Sequence, residues 1–319
     1  MSQAQERLSW LWIGLLALLG MALIPFSQWA FGINYDYTLR NVALGGALLG
    51  AVTGFIGCFA VLRRESLVGD TVSHAALPGV AIAFLLAGRQ MSLLLLGAAA
   101  SSWLGIQLVQ GLVRTTRLKR EAAMAIVLAA WFAFGLALLS YIQNRADAGQ
   151  AGLKSFIFGQ AAAIIESDVQ LIGLVGSALV ALVVLFWKEF KLITFDIEFA
   201  RADGHPVNAL SVLLSTLIVI VIILGLQLAG VVLVVGLLIA PASAARQWTQ
   251  RLEKMVILAA VFGALSGGSG AVISALDADI PTGPMIIVAA FTIVLISLVF
   301  APQRGILWAR RRVAPSQDA

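Results

Sequence analysis

The chain has 319 residues, of which 61% are hydrophobic and 12% charged, and its net charge is +5. Soluble proteins carry about 25% charged residues, so the composition excludes a soluble enzyme or binding domain. The basic residues sit in short clusters between apolar runs rather than on one stripe, which removes nucleic acid from the partners the charge could serve.

The apolar runs are roughly 17 to 24 residues long, the length that crosses a hydrocarbon core about 30 Å thick. The fold class is therefore all-α and polytopic; a transmembrane β-barrel would need short alternating segments. In chain order, spans are expected near 8–31, 42–62, 66–88, 91–113, 122–142, 169–187, 209–229, 230–246, 256–276 and 285–302. Eight to ten transmembrane helices is the range these runs support. The first begins after Glu6 and Arg7, lacks a small-residue cleavage site and reads as a retained span. The boundary between the seventh and eighth rests on Gly230 and on the great length of the apolar run. The single cysteine, Cys58, falls inside a span, so no disulfide forms within the chain.

Lysine and arginine fix an expected orientation. With ten spans, 17 of the 21 basic residues fall on one side, leaving only Arg40, Arg89, Arg145 and Lys154 on the other. By the positive-inside rule the rich side is cytoplasmic, with both termini on it. Small residues recur at four-residue spacing in the second span (Gly46, Gly50, Gly54, Cys58), the fourth (Gly97, Ser101, Gly105) and the ninth (Gly263, Gly267). That spacing lets helix backbones approach closely in lipid, within one subunit or across a dimer. On the outer side Ser155-Phe156-Ile157-Phe158-Gly159 is too apolar for a free loop and is expected to lie at the interface.

Three stretches carry polar chemistry. In Gly69-Asp70-Thr71-Val72-Ser73-His74-Ala75-Ala76-Leu77-Pro78-Gly79, Asp70 and His74 are four apart and share one helix face. A charged group at membrane depth costs about 2.5–3.5 kcal/mol on insertion scales. Counted from Arg64 at 1.5 Å per residue, His74 lies about 15 Å along, near the midplane. Pro78 lacks an N–H, so the His74 carbonyl loses its helical donor. Carboxylate, imidazole and carbonyl oxygen suit Mn²⁺, Zn²⁺ or Fe²⁺. A proton relay, a hydrogen bond inside the helix and a simple N-cap are the competing readings.

The second stretch, 195–206, has Asp196 as N-cap, Glu198 in the first turn, Gly204 just past the end and Pro206 as a stop. It is expected to form a two-turn helix in a cytoplasmic loop, either docked on another protein or solvated; His205 after it reads as surface. In the third, Asp277-Ala278-Asp279-Ile280-Pro281-Thr282-Gly283-Pro284, the carboxylates lie on the outer side, where they attract cations or close a plain turn. Asp279, with Gln227 near the outer end of its span, is the candidate outer gate. No Gly-x-x-x-x-Gly-Lys-Ser/Thr and no Ser/His/Asp or Cys/His arrangement occurs, so neither a P-loop nor an enzyme active site is expected.

Residues 57–70, Ser73-His74-Ala75-Ala76-Leu77-Pro78-Gly79, Phe195-Asp196 with Glu198, Ala200 and Gly204, and 236–246 together resemble the permease subunits of manganese/zinc/iron ABC importers. Phe156-Ile157-Phe158-Gly159 and Asp279-Ile280-Pro281-Thr282-Gly283-Pro284 fall where that family has matching pieces, and the resemblance covers residues 40 to 302. It implies a type II ABC importer-like permease bundle in a bacterial cytoplasmic membrane. It also implies a second permease copy or paralogue, cytoplasmic ATP-binding subunits that hydrolyse ATP, and an extracytoplasmic metal-binding protein. Asp70 and His74 would contact the transported Mn²⁺ or Zn²⁺, with Fe²⁺ also accommodated, and no cofactor would be held permanently. Asp196, Glu198, Ala200 and Gly204 would belong to the helix that seats in the ATPase. The chain then divides into 1–40, an additional span and outer loop; 41–302, the permease core; and 303–319, a basic cytoplasmic tail. Glu65 departs from the family pattern and bears on the cytoplasmic exit. The rival function is a stand-alone, proton-coupled secondary cation transporter with Asp70 and His74 as its relay.

Overall fold

The computed structural model describes residues 36–88, 90–143, 164–277, 280–303 and 305–307. The expected span 8–31, the segment 155–159, and all of the tail 303–319 except 303 and 305–307 lie outside the described residues. Every regular element among those described is an α-helix. In chain order these are α1 (Tyr37–Leu62), α2 (Val68–Ala87), α3 (Met91–Thr115), α4 (Arg120–Gln143), α5 (Glu166–Leu185) and α6 (Trp187–Phe195). There follow α7 (Ile197–Ala202), α8 (Val207–Ala229), α9 (Val231–Trp248), α10 (Leu252–Ser274) and α11 (Thr282–Phe300).

Eight of these helices are long and apolar enough to cross a membrane, and α9 adds a shorter apolar helix over Leu233–Trp248. The chain is a multi-pass helical membrane protein. Nine of the ten expected spans thus have a helix. Gly230 is the break between α8 and α9: its φ of 80° takes the chain out of the helix, and its N–H still donates to the Leu226 carbonyl at 3.1 Å. A residue with a side chain is strained at that φ, which is why the glycine marks the boundary.

The described residues form two compact units, one comprising 36–58, 164–174 and 236–307, the other 59–143 and 175–235. In the first, α1 lies against α10 with almost no side chain between them. A Cβ added at Gly46 would stand 3.0 Å from the Gly267 carbonyl oxygen, and one at Gly50 would overlap the Gly263 carbonyl. Cys58 is free and buried, its Sγ 3.4 Å from the Gly54 carbonyl oxygen and 3.7 Å from that of Met255. The small-residue stripe of α1 is therefore used inside the chain. Without a hydrophobic drive between helices in lipid, such backbone contact supplies the association through dispersion.

In the second unit α2 packs on α3 and α4, and α8 on α3. Gly79 and Gly97 cross so closely that a Cβ on either would overlap the other's carbonyl. Beside this crossing the Ser101 hydroxyl donates to the Ala75 carbonyl at 2.7 Å and the Ser102 hydroxyl to the Val72 carbonyl at 2.7 Å. Gln110 Nε2 donates to Ser215 Oγ at 2.8 Å and Trp103 Nε1 to Thr216 Oγ1 at 3.0 Å, joining α3 to α8. These bonds fix the height of α2, the helix that carries Asp70 and His74.

Candidate metal-transfer site

The turn before α2 decides where the ionisable pair sits. Arg64 takes φ 57°, the left-handed region that a helix usually fills with glycine just past its end. The Glu65 N–H then donates back to the Ala60 carbonyl at 2.9 Å and the Arg64 N–H to the Val61 carbonyl at 3.2 Å, the paired bonds of a Schellman motif. Folding back in this way consumes residues 63–67, so α2 begins at Val68. Asp70 is consequently on the first turn, and His74 is about 9 Å along α2 rather than about 15 Å beyond Arg64. His74 lies in the first half of the helix, on the side of the basic turn, closer to the helix start than the count from Arg64 placed it.

Asp70 and His74 are both half-buried. Among the described residues neither makes an ion pair or a side-chain hydrogen bond, which removes the helix-internal Asp70–His74 bond from the competing readings. The imidazole packs edge-on against Phe132 of α4, ring centroids 4.7 Å apart at 67°. That ring restricts the rotation of His74 without occupying either nitrogen. Pro78 is inside α2, so the His74 carbonyl has no helical N–H to accept from. Among the described residues a carboxylate, an imidazole and a carbonyl are thus left without their usual hydrogen-bond partners within little more than one helical turn. No third His, Cys, Asp or Glu joins them among the described residues. One chain offers two side-chain ligands of the type that borderline divalent ions accept, which suits brief contact rather than tight retention.

The second stretch folds as its residues dictate. The Asp196 carboxylate accepts from the Phe199 N–H at 2.9 Å and caps α7. Gly204, at φ 83°, closes it with the His205 N–H on the Ala200 carbonyl at 3.0 Å and its own N–H on the Arg201 carbonyl at 3.2 Å. Glu198 is in the first turn and Ala200 is fully buried. His205 Nε2 is 3.2 Å from Asp203 Oδ2, a local surface contact. Phe195, Ile197 and Phe199 remain exposed, the two phenylalanines at 58%. Three large apolar side chains on so short a segment are more than solvation tolerates.

The outer-gate candidates are not brought together with this site: Asp279 and the side chain of Gln227 lie outside the described residues.

The sequence reading missed two features. One is Phe132, whose contact with His74 joins residues 58 positions apart and has no local signal. The other is a buried charge cluster. Arg63 Nε stands 2.8 Å and Arg120 Nε 3.2 Å from the same Glu65 oxygen, with the Arg63 and Glu65 side chains 4% and 2% exposed. These are charge contacts without hydrogen-bond alignment, and Arg63 Nη1 is also buried with no hydrogen-bond partner. Burial pulls the Arg63 guanidinium below the usual arginine range; Glu65 opposes that pull and Arg120 adds to it. Arg63 and Glu65 are visible as opposite charges two residues apart in the sequence, whereas the approach of Arg120 is not.

The fold is that of a multi-pass helical membrane protein. Residues 35–301 match the ABC 3 transport family, and the chain belongs to it. The zinc transport system membrane protein TroC of Treponema pallidum is 47% identical over 89% of this chain and 96% of its own length. The manganese transport system membrane protein MntC of Bacillus subtilis is 43% identical over 83% of this chain, which spans 61% of that longer relative. Among solved structures, PsaBC from Streptococcus pneumoniae in complex with Fab superposes with a TM-score of 0.74, at 29% identity over 91% of this chain and 99% of that one.

Proposed function

We propose that the chain is the transmembrane permease subunit of an ATP-driven importer for divalent transition metal ions, Mn²⁺ and Zn²⁺ with Fe²⁺ accommodated. The observation that carries this reading is the pair Asp70 and His74 on α2, half-buried and, among the described residues, without an ion pair or a side-chain hydrogen bond, in a family whose named relatives are zinc and manganese transport membrane proteins. An intramembrane ionisable residue left unpaired is a functional site by default. An external binding protein delivers the ion, Asp70 and His74 hold it briefly, and an ATP-driven movement transmitted through residues 195–204 opens the cytoplasmic exit. A second permease copy or paralogue supplies a second pair of ligands, since two side chains alone satisfy few of a metal's positions.

In this reading the protein resides in a bacterial cytoplasmic membrane with both termini inside. Residues 41–302 are the transport core, with an additional span in 1–40 and a basic tail in 303–319. ATP hydrolysis belongs to a separate subunit, and Asp279 and Gln227 serve as the outer gate. Proteoliposomes holding the permease, its ATPase and its binding protein are expected to take up radiolabelled Mn²⁺ or Zn²⁺ only with ATP. Uptake driven by a proton gradient in the permease alone would overturn the assignment in favour of a secondary carrier.

The segment α6–α7 is the docking element for the ATPase. Its capped, closed form presents Phe195, Ile197 and Phe199 to a groove, the helix-in-groove mode of recognition. Phe199→Ser is expected to weaken co-purification of the ATPase by about 30-fold, an aromatic anchor being worth about 2 kcal/mol. Because Phe199 is exposed, permease abundance in the membrane is expected to stay at the unsubstituted level. Equal recovery of ATPase with both forms would remove this surface from the interface.

A further inference from the structure

The Arg63–Glu65–Arg120 cluster belongs to neither the ion-contacting pair nor the ATPase-docking surface, yet it lies between them within one compact unit. We propose that it is a positioning latch that holds the first turn of α2 and delivers movements of α6–α7 to Asp70 and His74. This inference rests on the function proposed above.

The connection can be followed group by group. Asp196 ends α6 and caps α7, so the two helices turn as one elbow. Phe190 of α6 is fully buried and meets Phe59 of α1 edge-on at 6.3 Å, while Trp187 meets the same ring at 6.1 Å. Arg63 is one turn beyond Phe59 on the same face, its N–H bonded to the Phe59 carbonyl at 3.0 Å. Arg63 is 2.8 Å from Glu65. The Glu65 carbonyl accepts the Val68 N–H at 3.1 Å and so opens α2, two residues before Asp70. Arg120, the first residue of α4, stands 3.2 Å from the same Glu65 oxygen; the same α4 bears Phe132 against His74.

The chemistry of the cluster fits a latch better than a rivet. Two arginines share one carboxylate, and Arg63 Nε and Nη1, Glu65 Oε1 and Arg120 Nε are all buried without an aligned hydrogen bond. Groups left in that condition in a native interior call for an explanation. A purely structural pair gains most of its strength from aligned bidentate bonds, which this one forgoes. Charge contacts without fixed angles tolerate a shift of one partner against another, so the turn can follow α6 while Arg120 keeps the first turn of α2 beside α4.

The decisive variant is Arg120→Gln, which leaves Arg63 and Glu65 balanced and spares folding. Glu65→Gln is less suited because it strands two arginines without a counter-charge. In proteoliposomes of the full complex, with radiolabelled Mn²⁺ and Zn²⁺ as probes, Arg120→Gln is expected to retain ATP hydrolysis while lowering ions moved per ATP by about fivefold, within the range for substitutions along a coupling network. Phe59→Ala is expected to lower the ratio similarly, and the double variant no further than the stronger single one. An unchanged ratio in Arg120→Gln, or losses that multiply in the double variant, would overturn the latch. ATP-driven uptake by the unsubstituted complex separates the two proposals: its absence defeats the function, whereas its presence with a normal Arg120→Gln ratio defeats only the latch.

Discussion

Asp70→Ala and His74→Ala are each expected to reduce ATP-driven Mn²⁺ or Zn²⁺ uptake by at least about 100-fold, with the permease present in the membrane in normal amount. Removing a group that merely orients a metal ligand costs 10–100-fold in affinity or activity, so loss of a ligand itself sets that range as a floor. Neither side chain is bonded to another part of the protein among the described residues, so removing it breaks no structural contact except the His74–Phe132 packing. Asp70→Asn sharpens the test. It keeps the shape and one acceptor oxygen but removes the charge, and an ion-contacting carboxylate predicts nearly the same loss as Ala. Uptake counted against permease quantified by immunoblot decides the matter, and undiminished uptake in either variant would sink the site.

Gly79→Leu is expected to leave little folded permease, whereas Gly111→Ala is expected to be neutral or slightly stabilising. At Gly79 even a Cβ overlaps the carbonyl of Gly97 and comes 2.6 Å from the Ser101 Cβ. A leucine there forces α2 and α3 apart where the Ser101 and Ser102 bonds join them. Overpacking costs typically 1–3 kcal/mol where side chains can shift; here the obstruction is backbone, and the cost lies at or above the upper end. Gly111 is on the same helix as Gly97 but has nothing within 4 Å of an added Cβ. Glycine inside a helix is less favourable than alanine by roughly 0.5–1 kcal/mol. Thermal unfolding of the purified proteins in detergent measures both, and equal stability of the two variants would contradict the close crossing.

Much of this architecture was legible because membrane spans announce themselves by length and their ends by particular residues. Gly230 marked the break between α8 and α9 in a continuous apolar run, since no other residue takes that φ without strain. Asp196 and Gly204 bounded α7 because each performs a local bonding task that neighbours in the sequence complete. The glycines of α1 and α3 announced close helix approach, though not which helix would approach.

The turn after residue 62 is two residues longer than the expected start of the next span at 66 allows, for an equally physical reason. A left-handed residue past a helix end is expected to be glycine, and Arg64 gives no such warning. The five residues it consumes shifted His74 along its helix by about 6 Å. Phe132 and Arg120 were invisible because their partners are more than fifty residues away, where neither periodicity nor spacing reaches. The pair proposed to contact the ion stands out in the sequence by its cost, as two ionisable residues where lipid-facing sequence tolerates none.

The left-handed Arg64 also has a consequence for how the protein is made. A non-glycine residue in that conformation is less stable by about 1–2 kcal/mol, and Arg64 is exposed, with φ 57°. Glycine would remove the strain but would also delete a positive charge from the short turn between two spans. Charges in such turns act during insertion, before helices pack, when they set which way a hairpin faces. In the orientation proposed above, the finished protein therefore keeps a strained backbone as the trace of a requirement met earlier, while the chain was still entering the bilayer.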